Sequence, residues 1–221
     1  MLLSRLLSVR PGVTALTGGG GKTAAMYRLA RELRREGTVI CTTTTRILPP
    51  DHLPVADGGA ELAAALARLG CVCAGAPAEE GKLGAPGLPV AALAALADYV
   101  LVEADGSRGL PVKAHLAHEP AVPPETGLTV VLAGASGFGR PVREAVHRPE
   151  RFCALTGAAA EEPVTAENLA RLLEAEGIGD MVFINQAESA GAMEAARRLA
   201  GLASRPVFAG SLWGGIWTCL S

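Results

Sequence analysis

The chain has 221 residues, 49% of them hydrophobic and 19% charged, with a formal net charge of −2. That is enough apolar material for a single well-buried domain over residues 1–221, and the dispersed basic residues lack the positive footprint of a nucleic-acid binder. No apolar run reaches the length of a membrane span, and the start MLLSRLLSVRPG has an arginine within its apolar part and no small-residue cleavage site, so a cytoplasmic protein is expected.

Residues 12–16 are apolar and rich in β-formers, and residues 22–36 carry Met26, Leu29, Ala30 and Leu33 at helical spacing. Between them stand Gly18, Gly19, Gly20 and Gly21, then Lys22 and Thr23. Glycine is costly to order, so four in a row are expected where backbone turns tightly or lies against a partner with no side chain between. Ahead of a helix they bring backbone amides to its N-terminus, which favours a phosphate. Lys22 then reaches a terminal phosphate, and the Thr23 hydroxyl ligates the accompanying Mg2+. In the P-loop pattern G-x-x-x-x-G-K-[ST] the first glycine falls here on Leu16, which predicts a tighter or differently turned loop. A dinucleotide fingerprint started at Gly18 puts its last glycine on Thr23 and fits less well, and linkers rarely join a strand to an amphipathic helix.

Further along, residues 38–41 read as a strand that ends in a run of threonines, 42–45, and Arg46. Residues 61–69 read as a helix, 71–74 as a strand, 75–89 as a surface loop, 90–97 as a helix and 98–102 as a fully buried strand. A polar, proline-rich stretch follows, then a strand at 128–133, a glycine-rich turn at 134–139, a helix at 165–176 capped by Thr165, a strand at 181–184, a helix at 190–202 and a last strand at 206–209. Alternation of this kind implies parallel strands with right-handed crossovers. The expected fold is α/β, a three-layer P-loop NTPase-like arrangement with a mainly parallel central sheet flanked by helices.

Strand 98–102 delivers Glu103, Asp105, Gly106 and Arg108 to its C-terminal edge, where open α/β sheets bind ligands. Asp105 is expected to be the principal magnesium-side carboxylate with Thr23, and Glu103 its neighbour that orients water. Asn185 and Glu188, at the end of the 181–184 strand, approximate the N-K-x-D pattern that reads guanine. Gln186 replaces the lysine and glutamate the aspartate, so ATP and GTP both stay open and the departures lean toward ATP. A cationic group, Arg108, Lys113, His118, Glu119, His147 and Arg148, offers a pocket for an anionic substrate or partner, with Arg108 also a candidate arginine finger; a solvated surface is the competing reading. The segment 108–119 is expected to respond to the terminal phosphate. Five cysteines without C-x-x-C spacing argue against a disulfide framework, and metal binding by Cys71, Cys73 or His115 is left open.

Together TGGGGKT, TTTTR, LVEADGSRGLPVKAHLAHEP, VHRPE and INQAES resemble the selenium-dependent hydroxylase accessory proteins of the YqeC type, over nearly the whole chain. The EADGSRGLP-K block is the most specific part. The resemblance implies a bacterial cytoplasmic P-loop protein that assists maturation or cofactor insertion of molybdenum hydroxylases. It implies phosphate binding at Gly18 to Thr23, an acidic site at Glu103 and Asp105, and a family-specific surface at Arg108, Lys113, His118 and Glu119. Nucleotide hydrolysis, transfer of a phosphoryl or nucleotidyl group to an anionic cofactor precursor, and nucleotide sensing without turnover all remain open.

Overall fold

The computed structural model describes residues 1–221. The fold is α/β, with a mainly parallel sheet flanked by helices. Its residues fall into two compact units, each built from separated stretches of chain.

The first unit comprises Met1–Leu16, Thr23–Gly106 and Ala121–Leu128. Its strands lie in the order Gly12–Gly18, Tyr99–Glu103, Val39–Thr43, Cys71–Ala74, Val55–Ala56, and every pair is parallel. Tyr99–Glu103 and Val39–Thr43 are buried along their whole length, which is why residues 99–102 read as a continuous apolar run rather than as alternation. Leu62 and Leu66 of the helix Gly59–Leu69 and Leu93 of the helix Val90–Ala94 close the core over Ile40, Val72, Val100 and Val102. The register pairs Leu16 and Thr43 with Glu103, so three strands end beside one another at their C-terminal edge.

Two expectations are corrected here. The helix Lys22–Leu33 stops before residue 36, because beyond Leu33 the side chains of Arg34, Arg35 and Glu36 are exposed and no apolar face continues. The 75–89 loop contains Ala76–Pro77 and Leu83–Gly84, which form a three-stranded sheet with Arg46–Ile47. Two-residue strands have no period for a sequence to display.

The second unit comprises Thr17–Lys22, Ser107–Pro120 and Thr129–Ser221. Thr126–Gly134, Met181–Asn185 and Val207–Ser211 run parallel, and Ile216–Cys219 adds an antiparallel edge. This last strand falls beyond the expected one at 206–209; most of it is exposed, so its letters show neither alternation nor an apolar run. The helix Ala166–Glu176 starts with a capping box: Thr165 Oγ1 accepts from the Asn168 amide at 3.3 Å, and the Thr165 amide donates to Asn168 Oδ1 at 2.8 Å. Ser189 caps Ala190–Ala200. Leu169, Leu172, Leu173, Ala196 and Leu199 pack from these helices onto Val131, Val182, Ile184 and Val207. A two-residue parallel pairing joins Val112–Lys113 to Val146–His147. No helix is long and apolar enough to cross a membrane.

Candidate functional site

The first strand runs through Gly18, and a helix begins at Lys22, so residues 19–21 alone make the turn. That is the tighter loop expected from the missing first glycine. Gly18, Gly20 and Gly21 have φ of 90°, 68° and 116°, a region that side chains rarely adopt. Gly19 has no such φ, yet a Cβ there would stand 2.7 Å from the carbonyl oxygens of Leu110 and Pro111. At Gly18 and Gly20 a Cβ would overlap the backbone of Leu132 and Gly134, and at Gly21 it would come within 2.6 Å of Asn185 Nδ2. The run of glycines is therefore demanded by the protein's own packing and by the positive φ of three of its members.

Two of the expected phosphate-binding amides are already engaged: Gly19 donates to the Leu132 carbonyl at 2.9 Å and Gly20 to that of Leu110 at 3.2 Å. Lys22 folds back over the turn, its buried Nζ donating to the Gly18 carbonyl at 2.6 Å. Asn185 braces the loop from the other side. Its Nδ2 donates to the Gly20 carbonyl at 2.8 Å, and its Oδ1 accepts from the Leu212 amide at 3.0 Å.

In the first unit, Thr23 Oγ1 donates to Glu103 Oε2 at 2.6 Å, a short charge-assisted bond. Glu103 is the last residue of its strand, 6% exposed, and Asp105, two residues on, is 1% exposed. The threonine run surrounds the same strand end. Thr43 Oγ1 and the Thr44 amide both donate to the Glu103 carbonyl, at 2.9 and 3.1 Å, and the Thr45 amide donates to Thr43 Oγ1 at 2.9 Å. Thr44 Oγ1 is buried with no hydrogen-bond partner. These threonines were legible as a polar strand end but were not assigned to the site; the signal that places them is the register Thr43 opposite Glu103.

The cationic group is assembled in the second unit. Lys113 and His147 are direct partners across the short strand pair. Lys113, its side chain fully enclosed, pairs with Glu119 Oε1 at 3.2 Å. Arg148 holds the same carboxylate in a fork, Nε to Oε2 and Nη2 to Oε1, both at 3.0 Å. Burial would raise the Glu119 carboxyl, but Arg148, the Leu116 amide and Lys113 outweigh it and bring it to about 2. His147 is held below its ordinary value by burial and then by the charges of Lys113, Arg148 and Arg108, against the opposing pull of Glu119. Arg108 is exposed and His118 stands exposed outside this network.

His115 is locked elsewhere: its amide and Nδ1 meet the two oxygens of Glu176 at 2.6 and 2.8 Å. Strand pairing, the Glu119 fork and the Glu176 clasp hold residues 112–119 within the second unit. Cys71 and Cys73 lie buried in their strand, where burial pushes the Cys73 thiol up to about 12. No group of three His, Cys, Asp or Glu residues is placed to hold a metal ion on its own.

A cavity of about 340 Å³ opens beside the brace, lined among others by Ala187, Glu188, Ser211, Met193 and Trp217. It is mainly apolar with one carboxylate at its rim, a composition suited to a flat heterocycle.

The glycine turn with its lysine, the Thr23–Glu103 bond and the Lys113–Glu119–Arg148 network all come from the blocks that resemble the YqeC type. A family model described as YqeC protein matches residues 14–150. The Uncharacterized protein YqeC of Escherichia coli (strain K12) is 34% identical over 176 residues, which span 74% of this chain and 68% of that relative. Among solved structures, the signal recognition particle 54 kDa protein from Aeropyrum pernix K1 in complex with GDP aligns with a TM-score of 0.40 and 13% identity, covering 95% of this chain and 44% of that one. With more than half of its length matched by the family model and a relative of this identity, the chain belongs to the YqeC protein family.

Proposed function

We propose that the chain binds a purine nucleoside triphosphate, ATP or GTP, together with Mg2+, and hydrolyses it while assisting maturation or cofactor insertion of a selenium-dependent molybdenum hydroxylase. The observation that carries the nucleotide reading is the Thr23–Glu103 hydrogen bond of 2.6 Å directly after the lysine of a glycine turn. A hydroxyl and a carboxylate in contact at the start of a helix make a hard oxygen set of the kind magnesium selects. Because the Gly19 and Gly20 amides bond to the protein itself, the helix start at Gly21 is the part of the turn that this reading assigns to phosphate. Lys22 leaves the Gly18 carbonyl for the terminal phosphates. Magnesium, when bound, neutralises charge on the transferring phosphoryl group. Contact with Thr23 supports Glu103 as the magnesium-side carboxylate with the buried Asp105 as its neighbour, the reverse of the order expected from the sequence. The hydroxylase role rests on the resemblance of the EADGSRGLP-K block.

Titration with fluorescent triphosphates tests the reading. Lys22→Ala removes a charge-assisted contact worth roughly 1.5–3 kcal/mol, so affinity should fall at least about tenfold. Glu103→Gln should weaken the magnesium dependence more than Asp105→Asn does. Unchanged affinity in Lys22→Ala overturns the nucleotide site, and the reverse ranking of the carboxylates restores the roles read from the sequence.

The clustering of Lys113, His147 and Arg148 favours a second reading, transfer to an anionic acceptor. Phosphate released from nucleotide alone supports hydrolysis, transfer only with an added acceptor supports the second reading, and tight binding without product leaves a nucleotide-sensing module.

A further inference from the structure

We propose that the chain pairs with a second copy of itself, each copy inserting Trp213 into the apolar cavity of the other. Both halves of the contact belong to one hairpin of the second unit, made by the antiparallel strands Val207–Ser211 and Ile216–Cys219. Trp213 stands in the turn between them and is 99% exposed, and Ile216, where the second strand begins, is 74% exposed. Large apolar side chains gathered in water in this way mark a contact surface.

The turn that carries Trp213 is held on both sides. Buried Leu212 donates its amide to Asn185 Oδ1 at 3.0 Å, the Gly214 amide donates to Ser211 Oγ at 2.8 Å, and the Gly215 amide donates to the Ser211 carbonyl at 2.9 Å. The indole is therefore presented by an ordered turn, an aromatic anchor that loses little freedom when a partner arrives. Its receptacle is the cavity of about 340 Å³ walled by Met193, Ala209, Ile216 and Trp217, with Glu188 at its rim. Apolar walls with one carboxylate suit an indole, whose ring is buried while its Nε1–H donates to the oxygen.

Because peg and receptacle sit on the same chain, a two-fold axis makes both insertions at once and closes the pair. Charge favours a second copy as the occupant. Residues 206–221 carry no charged side chain, in a chain of which 19% is charged, so two such faces meet without repulsion, and the hairpin lacks the cations that draw a segment to an anionic membrane. The area is sufficient as well. A tryptophan buries up to about 250 Å² and covers a similar area of its receptacle, so two insertions remove on the order of 1,000 Å², where specific interfaces begin.

Sedimentation velocity over a concentration series, without nucleotide, tests the pairing whether or not the glycine turn binds phosphate. Wild type should show a monomer–dimer equilibrium. Trp213→Ser, at an exposed position, should weaken it at least about hundredfold, because both central aromatic anchors are lost together. Met193→Lys, which sets a charge in the receptacle and keeps Trp213, should do the same. A mixed pair of one Trp213→Ser copy and one Met193→Lys copy retains one insertion, so mixing the variants should restore dimers that neither forms alone. A wild type that stays monomeric throughout, a Trp213→Ser dimer as tight as wild type, or no restoration on mixing overturns the proposal. Blue-shifted tryptophan emission from a monomer assigns the indole elsewhere and also overturns it: to its own chain's cavity if seen in buffer, to a lipid surface if seen only with phosphatidylcholine–phosphatidylglycerol vesicles.

Discussion

Thr44 illustrates how a single atom separates stability from function. The Thr45 amide donates to Thr43 Oγ1, and Thr43 Oγ1 in turn donates to the Glu103 carbonyl, whereas Thr44 Oγ1 is buried without a partner. Leaving a hydroxyl unsatisfied costs about 1–3 kcal/mol, so Thr44→Val, which keeps the shape and removes the oxygen, should raise the thermal midpoint of the nucleotide-free protein. A lower midpoint would mean that the hydroxyl is satisfied in solution. Gly20 is the opposite case. Alanine there meets both a φ of 68° and the backbone of Gly134, so Gly20→Ala should destabilise by more than about 2 kcal/mol in urea titration, before any ligand is added. A loss below about half of that would show that the loop can move away from Gly134.

At the scale of elements, the Val112–Lys113 and Val146–His147 pairing is held by a carboxylate whose protonation can be read as stability. Glu119 titrates at about 2 in the fold against roughly 4.3 when unfolded. A depressed folded value contributes stability that is complete above the unfolded value and lost as pH falls through the folded one. Wild type and Glu119→Gln should therefore differ in stability at neutral pH, and the gap should close between about pH 4.3 and 2; a gap that persists at the acid end would assign the difference to packing. Why this cluster was only half legible follows from the same elements. Its residue types stood out, but Lys113 meets His147 through the register of two-residue strands, which leaves no pattern. Buried parallel strands such as Tyr99–Glu103 announced themselves through continuous apolar letters, while exposed Ile216–Cys219 did not. The glycine run was legible as a tight turn between strand and helix, yet the neighbours that crowd its glycines come from Leu110, Leu132, Gly134 and Asn185, far away in the chain.

For the whole molecule, each unit is assembled from three stretches, so no single cut releases either one complete. A fragment of residues 129–221 keeps most of the second core but forfeits Val112 and Ala114, and with them the bond from the Gly134 amide to Pro111. Burying one valine is worth about 1.5–3 kcal/mol, a large share of the margin by which domains are stable. Such a fragment should melt without a cooperative transition by circular dichroism, and a sharp transition would show that residues 107–120 are dispensable. The glycine run has a further implication, for descent. Because its members are imposed by Leu132, Leu110, Pro111, Gly134 and Asn185, a relative without the proposed nucleotide site would still be obliged to keep them. Relatives that lack the proposed site are to be told apart at Thr23 and Glu103, whose side chains bond to each other and not to the turn, and a glycine signature by itself certifies an inherited scaffold, not a binding site.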